Sequence, residues 1–76
     1  MTAEDELREL ADLNVRKWGV QDYETLALAV AEEAGELAQA VLQHKWEAGS
    51  EERIRDESVD LGALTLQIID LFDVGT

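Results

Sequence analysis

Two pairs of carboxylates stand where a helix would turn its apolar side, and any fold of this chain has to accommodate them. From Leu26 to Trp46 there is no proline and a single glycine, Gly35, which reads as one long helix. Within it, Glu33 lies three residues after Val30 and four before Leu37, on the stripe that faces a core. Glu57 falls between Ile54 and Leu61 at the same spacing, and Asp60 stands four residues before Leu64. Two helices that send the i, i+3 pairs Glu33–Glu36 and Glu57–Asp60 into a shared interior would bury four negative charges. An unpaired buried carboxylate costs several kcal/mol or more, so cations are needed among them. Oxygen-only donors of this kind suit Mg²⁺ or Mn²⁺ rather than zinc. The acids therefore point first to a metal site.

The rest of the chain supplies helices to hold them. Thr2 followed by Asp5 is a variant capping box that opens a first helix, roughly Ala3 to Trp18, with Leu7, Leu10, Ala11 and Val15 on its apolar face. Gly19 reads as its stop and Asp22 as the next N-cap. The second helix runs from about Tyr23 to Trp46, with Leu26, Val30, Glu33, Leu37, Ala40 and Val41 on or beside one stripe. Ala27, Ala31, Ala34 and Ala38 form a narrow face next to it. Gly35 in mid-helix costs about 1 kcal/mol against alanine, which calls for close approach of another helix or open space beside the acids. Glu47-Ala48-Gly49-Ser50 is a short turn, and Ser50 caps a third helix from about Glu51 to Phe72. That helix carries one stripe of Ile54, Leu61, Leu64, Ile68 and Phe72 and a second of Val59, Leu66 and Ile69. Apolar on two sides, it calls for partners on two sides, and the second is expected from another copy.

The second and third helices are expected to form an antiparallel hairpin. Counted from the turn, Glu36 is ten residues back from Trp46 and Asp60 nine forward from Glu51, so the two should lie nearly opposite. Glu33 then sits about one turn deeper and Glu57 about one turn shallower, each turn rising about 5.4 Å. The four acids would make a compact patch with room for more than one cation.

Composition limits what else such a chain can do. Its 76 residues suggest one small domain, 1–76, and so little core that self-association is expected on size alone. There is no cysteine, hence no disulfide and no Cys-ligated zinc. No apolar run approaches the length of a membrane span. The acidic start, Met1 to Glu6, lacks the basic and apolar regions of a signal peptide, so a cytoplasmic protein is expected. Eighteen acids against six bases give a net charge of −12, with no basic stripe to displace counterions from nucleic acid. Removing four ligands leaves the excess large; it fits a salt-adapted surface or simply a small protein kept soluble by charge.

With these residues in view, the sequence resembles the MazG-like, all-α nucleoside triphosphate pyrophosphohydrolases. Their signature is E-x-x-E on one helix and E-x-x-D on the next. Glu33-Ala34-Gly35-Glu36 and Glu57-Ser58-Val59-Asp60 match it with 20 residues between. The context Glu-Glu-x-Gly-Glu-Leu is typical of that family. Trp18, Leu26-Ala27-Leu28-Ala29 and Gln43-His44-Lys45-Trp46 resemble the dCTP pyrophosphatase branch in order and spacing, and the likeness extends from about Arg16 to Phe72. The resemblance implies a three-helix subunit with a long antiparallel hairpin, packed into a homodimeric or tetrameric helical bundle. It implies Mg²⁺-dependent cleavage of nucleoside triphosphates between the α and β phosphates, with Mn²⁺ able to substitute. Glu33, Glu36, Glu57 and Asp60 would then hold the metal, and Glu32, beside them but off the stripe, would orient or deprotonate the attacking water.

Trp18 and Trp46 could stack on a base, though tryptophans at helix ends also close cores. Lys45 could meet phosphate or pair with a nearby acid. His44 reads as a surface residue at a helix C-terminus. The sequence also departs from the family. The histidine and Pro-Arg-Asn segment before the second helix is replaced by Gln21-Asp22-Tyr23-Glu24-Thr25, and the fourth helix common in relatives has no counterpart before Thr76. The alternative is therefore a relative that retains the helical assembly and the metal without turnover, serving as an oligomerisation or interaction module.

Overall fold

The computed structural model describes residues 1–73 and shows three helices: α1 Ala3–Trp18, α2 Tyr23–Glu47 and α3 Glu51–Asp73. Their ends lie where short polar side chains satisfy orphan backbone groups. At α1 the capping box is complete, with Asp5 N donating to Thr2 Oγ1 (3.1 Å) and Thr2 N to Asp5 Oδ2 (3.2 Å). Gly19, at φ 78°, ends α1 with its N–H on Val15 O. Asp22 Oδ1 accepts from Thr25 N at 2.8 Å to start α2, and Ser50 Oγ accepts from Arg53 N at 3.1 Å to start α3.

In the turn between α2 and α3 the left-handed residue is Ala48 (φ 58°). Gly49 donates to Gln43 O at 2.9 Å, and a Cβ there would lie 3.1 Å from the Gln43 backbone. His44 is exposed and ties the same turn, its Nδ1 donating to Gly49 O at 2.7 Å.

α3 is the central helix. α2 packs antiparallel along one side of it, and Tyr23 at the start of α2 stacks on Phe72 near the end of α3, centroids 5.7 Å apart. α1 packs on α3 as well, whereas α1 and α2 do not pack on each other among the described residues. Leu7 meets α3 at Gly62, where a Cβ would lie only 2.6 Å from Leu7 Cδ2, and Asn14 meets it at Gln67. That order makes α1 parallel to α3 and gives an up-down-up arrangement. Arg8 holds Asp70 through both guanidinium nitrogens (2.7 and 3.2 Å), and Arg55 pairs with Glu6.

The core is thin: Ala11, Leu26, Ala40 and Ala63 are fully buried, and Leu26 is the only large side chain among them. α3 is flanked by α2 and by α1 of the same chain, and its second stripe is covered only in part. Val59 and Leu66 are half-buried and Ile69 is exposed. On the outer side of α2, Leu28, Leu42 and Trp46 are also exposed.

Candidate metal centre

The α2–α3 pairing brings three of the four predicted acids together. Glu33 and Glu36 project from α2 and Glu57 from α3, each offering one carboxylate oxygen, and these oxygens lie within 4.8 Å of one another. Glu33 and Glu57 are half-buried, and Glu36 is exposed at the rim. Oε2 of Glu33 and Oε2 of Glu57 are buried without any hydrogen-bond partner. As anions neither can donate to the other, so a shared proton, a cation or a buried water has to satisfy the pair. Burial first, then a hydrogen bond to Glu57 and the charges of Glu36, Glu57 and Asp60, push the Glu33 carboxyl up to about 7. The two descriptions agree once the proton is counted: the protonated pair is hydrogen-bonded, and the ionised pair is orphaned.

Asp60 is not among the three acids whose oxygens lie within 4.8 Å of one another. It lines a cleft of about 510 Å³ with Glu32, Glu33 and Leu64, beside Leu10, Asn14 and Trp18 of α1. Counting levels along a hairpin fixes height but not rotation about the helix axis. Asp60 still belongs to the same electrostatic group. Its carboxyl is raised by burial first, then by the charges of Glu57 and Asp56, and its own charge helps raise Glu33.

One internal cation already competes for the cluster. Arg53 Nε lies 4.0 Å from Glu57 Oε1, one turn away on α3, while its Nη1 donates to Gln43 Oε1. This long contact touches Oε1 and leaves the buried Oε2 of Glu57 unsatisfied. The donor set is all carboxylate oxygen, partly dehydrated and in excess of its internal cations. It is capable of chelating a divalent ion, and hard, oxygen-preferring cations fit it best.

The remaining candidates divide by location. Glu32 is exposed and lines the cleft with Trp18. The Lys17 ammonium lies 5.3 Å from the centre of the Trp18 ring. Lys45 and Trp46 do not line this cleft: Lys45 sits over the Trp46 ring at 4.9 Å, and Trp46 lines a separate groove on the outer side of α2. Sequence reasoning missed the amides that also line the cleft, Asn14, Gln21 and Gln67. Asn14 Nδ2 donates to Gln67 Oε1 at 2.9 Å, and Gln67 is only 5% exposed. The signal was available, because Glu57, Asp60, Leu64 and Gln67 fall on one stripe at spacings of three, four and three.

Comparison of the chain with family models, with curated proteins and with solved structures finds no match, so the case for the site rests on its geometry. No helix among the described residues is long and apolar enough to cross a membrane.

Proposed function

We propose that this chain is a divalent-cation-binding helical module, acting as an assembly of identical copies, in which Glu33, Glu36 and Glu57 hold Mg²⁺ or Mn²⁺. One observation carries the metal reading: two carboxylate oxygens, on Glu33 and Glu57, are buried without a partner inside a cluster of chelating size. A native chain leaves such atoms unsatisfied only where something else completes them. Titration calorimetry with Mn²⁺ and Mg²⁺ tests it. The parent should bind, and a Glu33→Gln, Glu57→Gln double variant that keeps its helical circular dichroism should not. Equal heats from both proteins would reject the site.

A second reading is nucleoside triphosphate pyrophosphohydrolysis, as the MazG-like resemblance implies. It is favoured by the cleft that opens directly beside the acids and carries Trp18 and three amides. Bound at the cluster, the cation would neutralise phosphate charge and acidify a water. In this reading Glu32 takes the proton of the attacking water, which adds to the α-phosphorus as the bond to the bridging oxygen breaks. A monophosphate and pyrophosphate leave. Asp60 faces the phosphates together with the metal ligands, Trp18 stacks on the base, and Lys45 and Trp46 have no place at the substrate within one copy.

Pyrophosphate release from a panel of common and modified nucleotides with Mg²⁺ separates the readings. Glu32→Gln should spare metal binding and lower kcat about a hundredfold or more, the loss typical of a general base. Glu33→Gln should damage metal binding and turnover together. A parent that binds metal and never turns over leaves the module alone.

A further inference from the structure

We infer that the outer face of α2 is where two copies of this chain pair, antiparallel, about a twofold axis at Gly35. The inference rests on the association half of the reading above and not on the metal half. It begins with an imbalance in α2. Leu26 and Ala40 are buried and Val30 and Leu37 half-buried on the inner side, yet the outer side is also apolar. Leu28 (69% exposed), Ala31, Gly35, Ala38 and Leu42 (56%) recur at spacings of three and four, and Trp46 (72%) closes the series. A helix apolar on two sides is covered on two sides. Among the described residues α3 covers one, and α1 does not reach α2.

The chain as a whole exposes more surface than a compact monomer, by about the area of one interface. The chain exposes 5436 Å², whereas a folded monomer of 8.5 kDa is expected to expose about 4,700 Å². The excess, roughly 750 Å², is close to the ~800 Å² that each partner contributes to a stable pair. The patch is also built to meet itself. Leu28 and Leu42 stand seven residues on either side of Gly35, with Ala31 and Ala38 between. This large-small-none-small-large profile is self-complementary under a twofold axis. In that register Gly35 meets Gly35, where the helices approach most closely. Leu28 of one copy meets Leu42 of the other and enters the groove of about 410 Å³ lined by Gly35, Ala38, Leu42 and Trp46.

Charge selects the orientation. Antiparallel pairing sets Lys45 of one copy beside Glu24 of the other and opposes the helix dipoles. A parallel pair would stack Glu24 on Glu24 and Glu32 on Glu32. The axis is still crowded with acid, because Glu32 and Glu36 of both copies flank it. A cation held at each cluster lowers that repulsion, so pairing should tighten with divalent metal and with salt.

Gly35 makes the test clean. A Cβ built on it meets nothing within 4 Å in the single chain, and leucine is the better helix former. Gly35→Leu therefore keeps the fold and blocks only the close approach. Sedimentation velocity on the full chain, from low to high micromolar concentration, with and without Mg²⁺ and in low and molar salt, should give the parent twice the 8.5 kDa chain mass. Gly35→Leu and Leu28→Glu should pair at least tenfold more weakly at unchanged helical content. Leu13→Glu, on α1, should pair like the parent. The chain has no cysteine, so oxidation of Gly35→Cys should give a covalent dimer and Leu28→Cys alone should not. A parent that stays monomeric throughout overturns this inference and the association reading with it. A parent that pairs while Gly35→Leu and Leu28→Glu pair equally well overturns the interface alone. A Leu28→Cys chain that links to itself overturns the orientation.

Discussion

At Glu33, burial and neighbouring charge act in the same direction, and both favour the protonated form. Its carboxyl, ordinarily near 4.5, is pushed up to about 7 in the folded chain. Between those values the native state holds a proton that the unfolded state has released. Stability without metal should therefore be greatest at the acid end and fall as pH rises from 4.5 to 7, levelling above that. Asp60, raised from 3.8 by burial and by Glu57 and Asp56, adds to the slope in the same sense. Thermal melts in chelator across this range should show the decline, and Glu33→Gln should flatten it and melt higher than the parent above pH 7. A parent whose melting point climbs over the same range would remove the buried pair as its cause. Because a metal displaces the shared proton, Mn²⁺ should bind more tightly at pH 7.5 than at pH 5.5.

At the scale of the elements, stability rests on caps and on very few large side chains. Asp22→Ala removes the acceptor for Thr25 N at the start of α2 and should cost about 1 kcal/mol. Leu26→Ala empties the only large site that is 1% exposed among the described residues and should cost about 2–5 kcal/mol, enough to unfold much of so small a chain. Denaturant titration measures both, and a Leu26→Ala chain as stable as the parent would mean that the core lies elsewhere. The helices were legible in the sequence because Thr2, Gly19, Asp22 and Ser50 mark their ends through local chemistry. What was not legible depends on rotation and on contacts between elements. The spacing of Glu57 and Asp60 gave their stripe, but not that Asp60 lines a cleft shared with α1. Gly62 carried no local signal, since its role is to admit Leu7 from 55 residues away. That α1 of the same chain also packs on α3 was not legible, because nothing local says how α1 will fold back.

At the scale of the molecule, 12 net negative charges on a thin three-helix chain repel one another and concentrate counterions. Molar salt should raise the melting temperature of the parent, and a chain destabilised by salt would contradict that balance. Divalent cation should act far below such concentrations, because it binds a specific cluster in the native state and not the unfolded chain. At a hundredfold excess over its dissociation constant the gain is about 2.7 kcal/mol, or about 10 °C or more for a chain of this size. The melting temperature in millimolar Mg²⁺ or Mn²⁺, at constant ionic strength, is therefore the most direct test of the metal centre. The account predicts a rise of that order for the parent and none for the Glu33→Gln, Glu57→Gln double variant, which should itself melt higher than the metal-free parent. An equal shift in both proteins, or no shift in the parent, would contradict it.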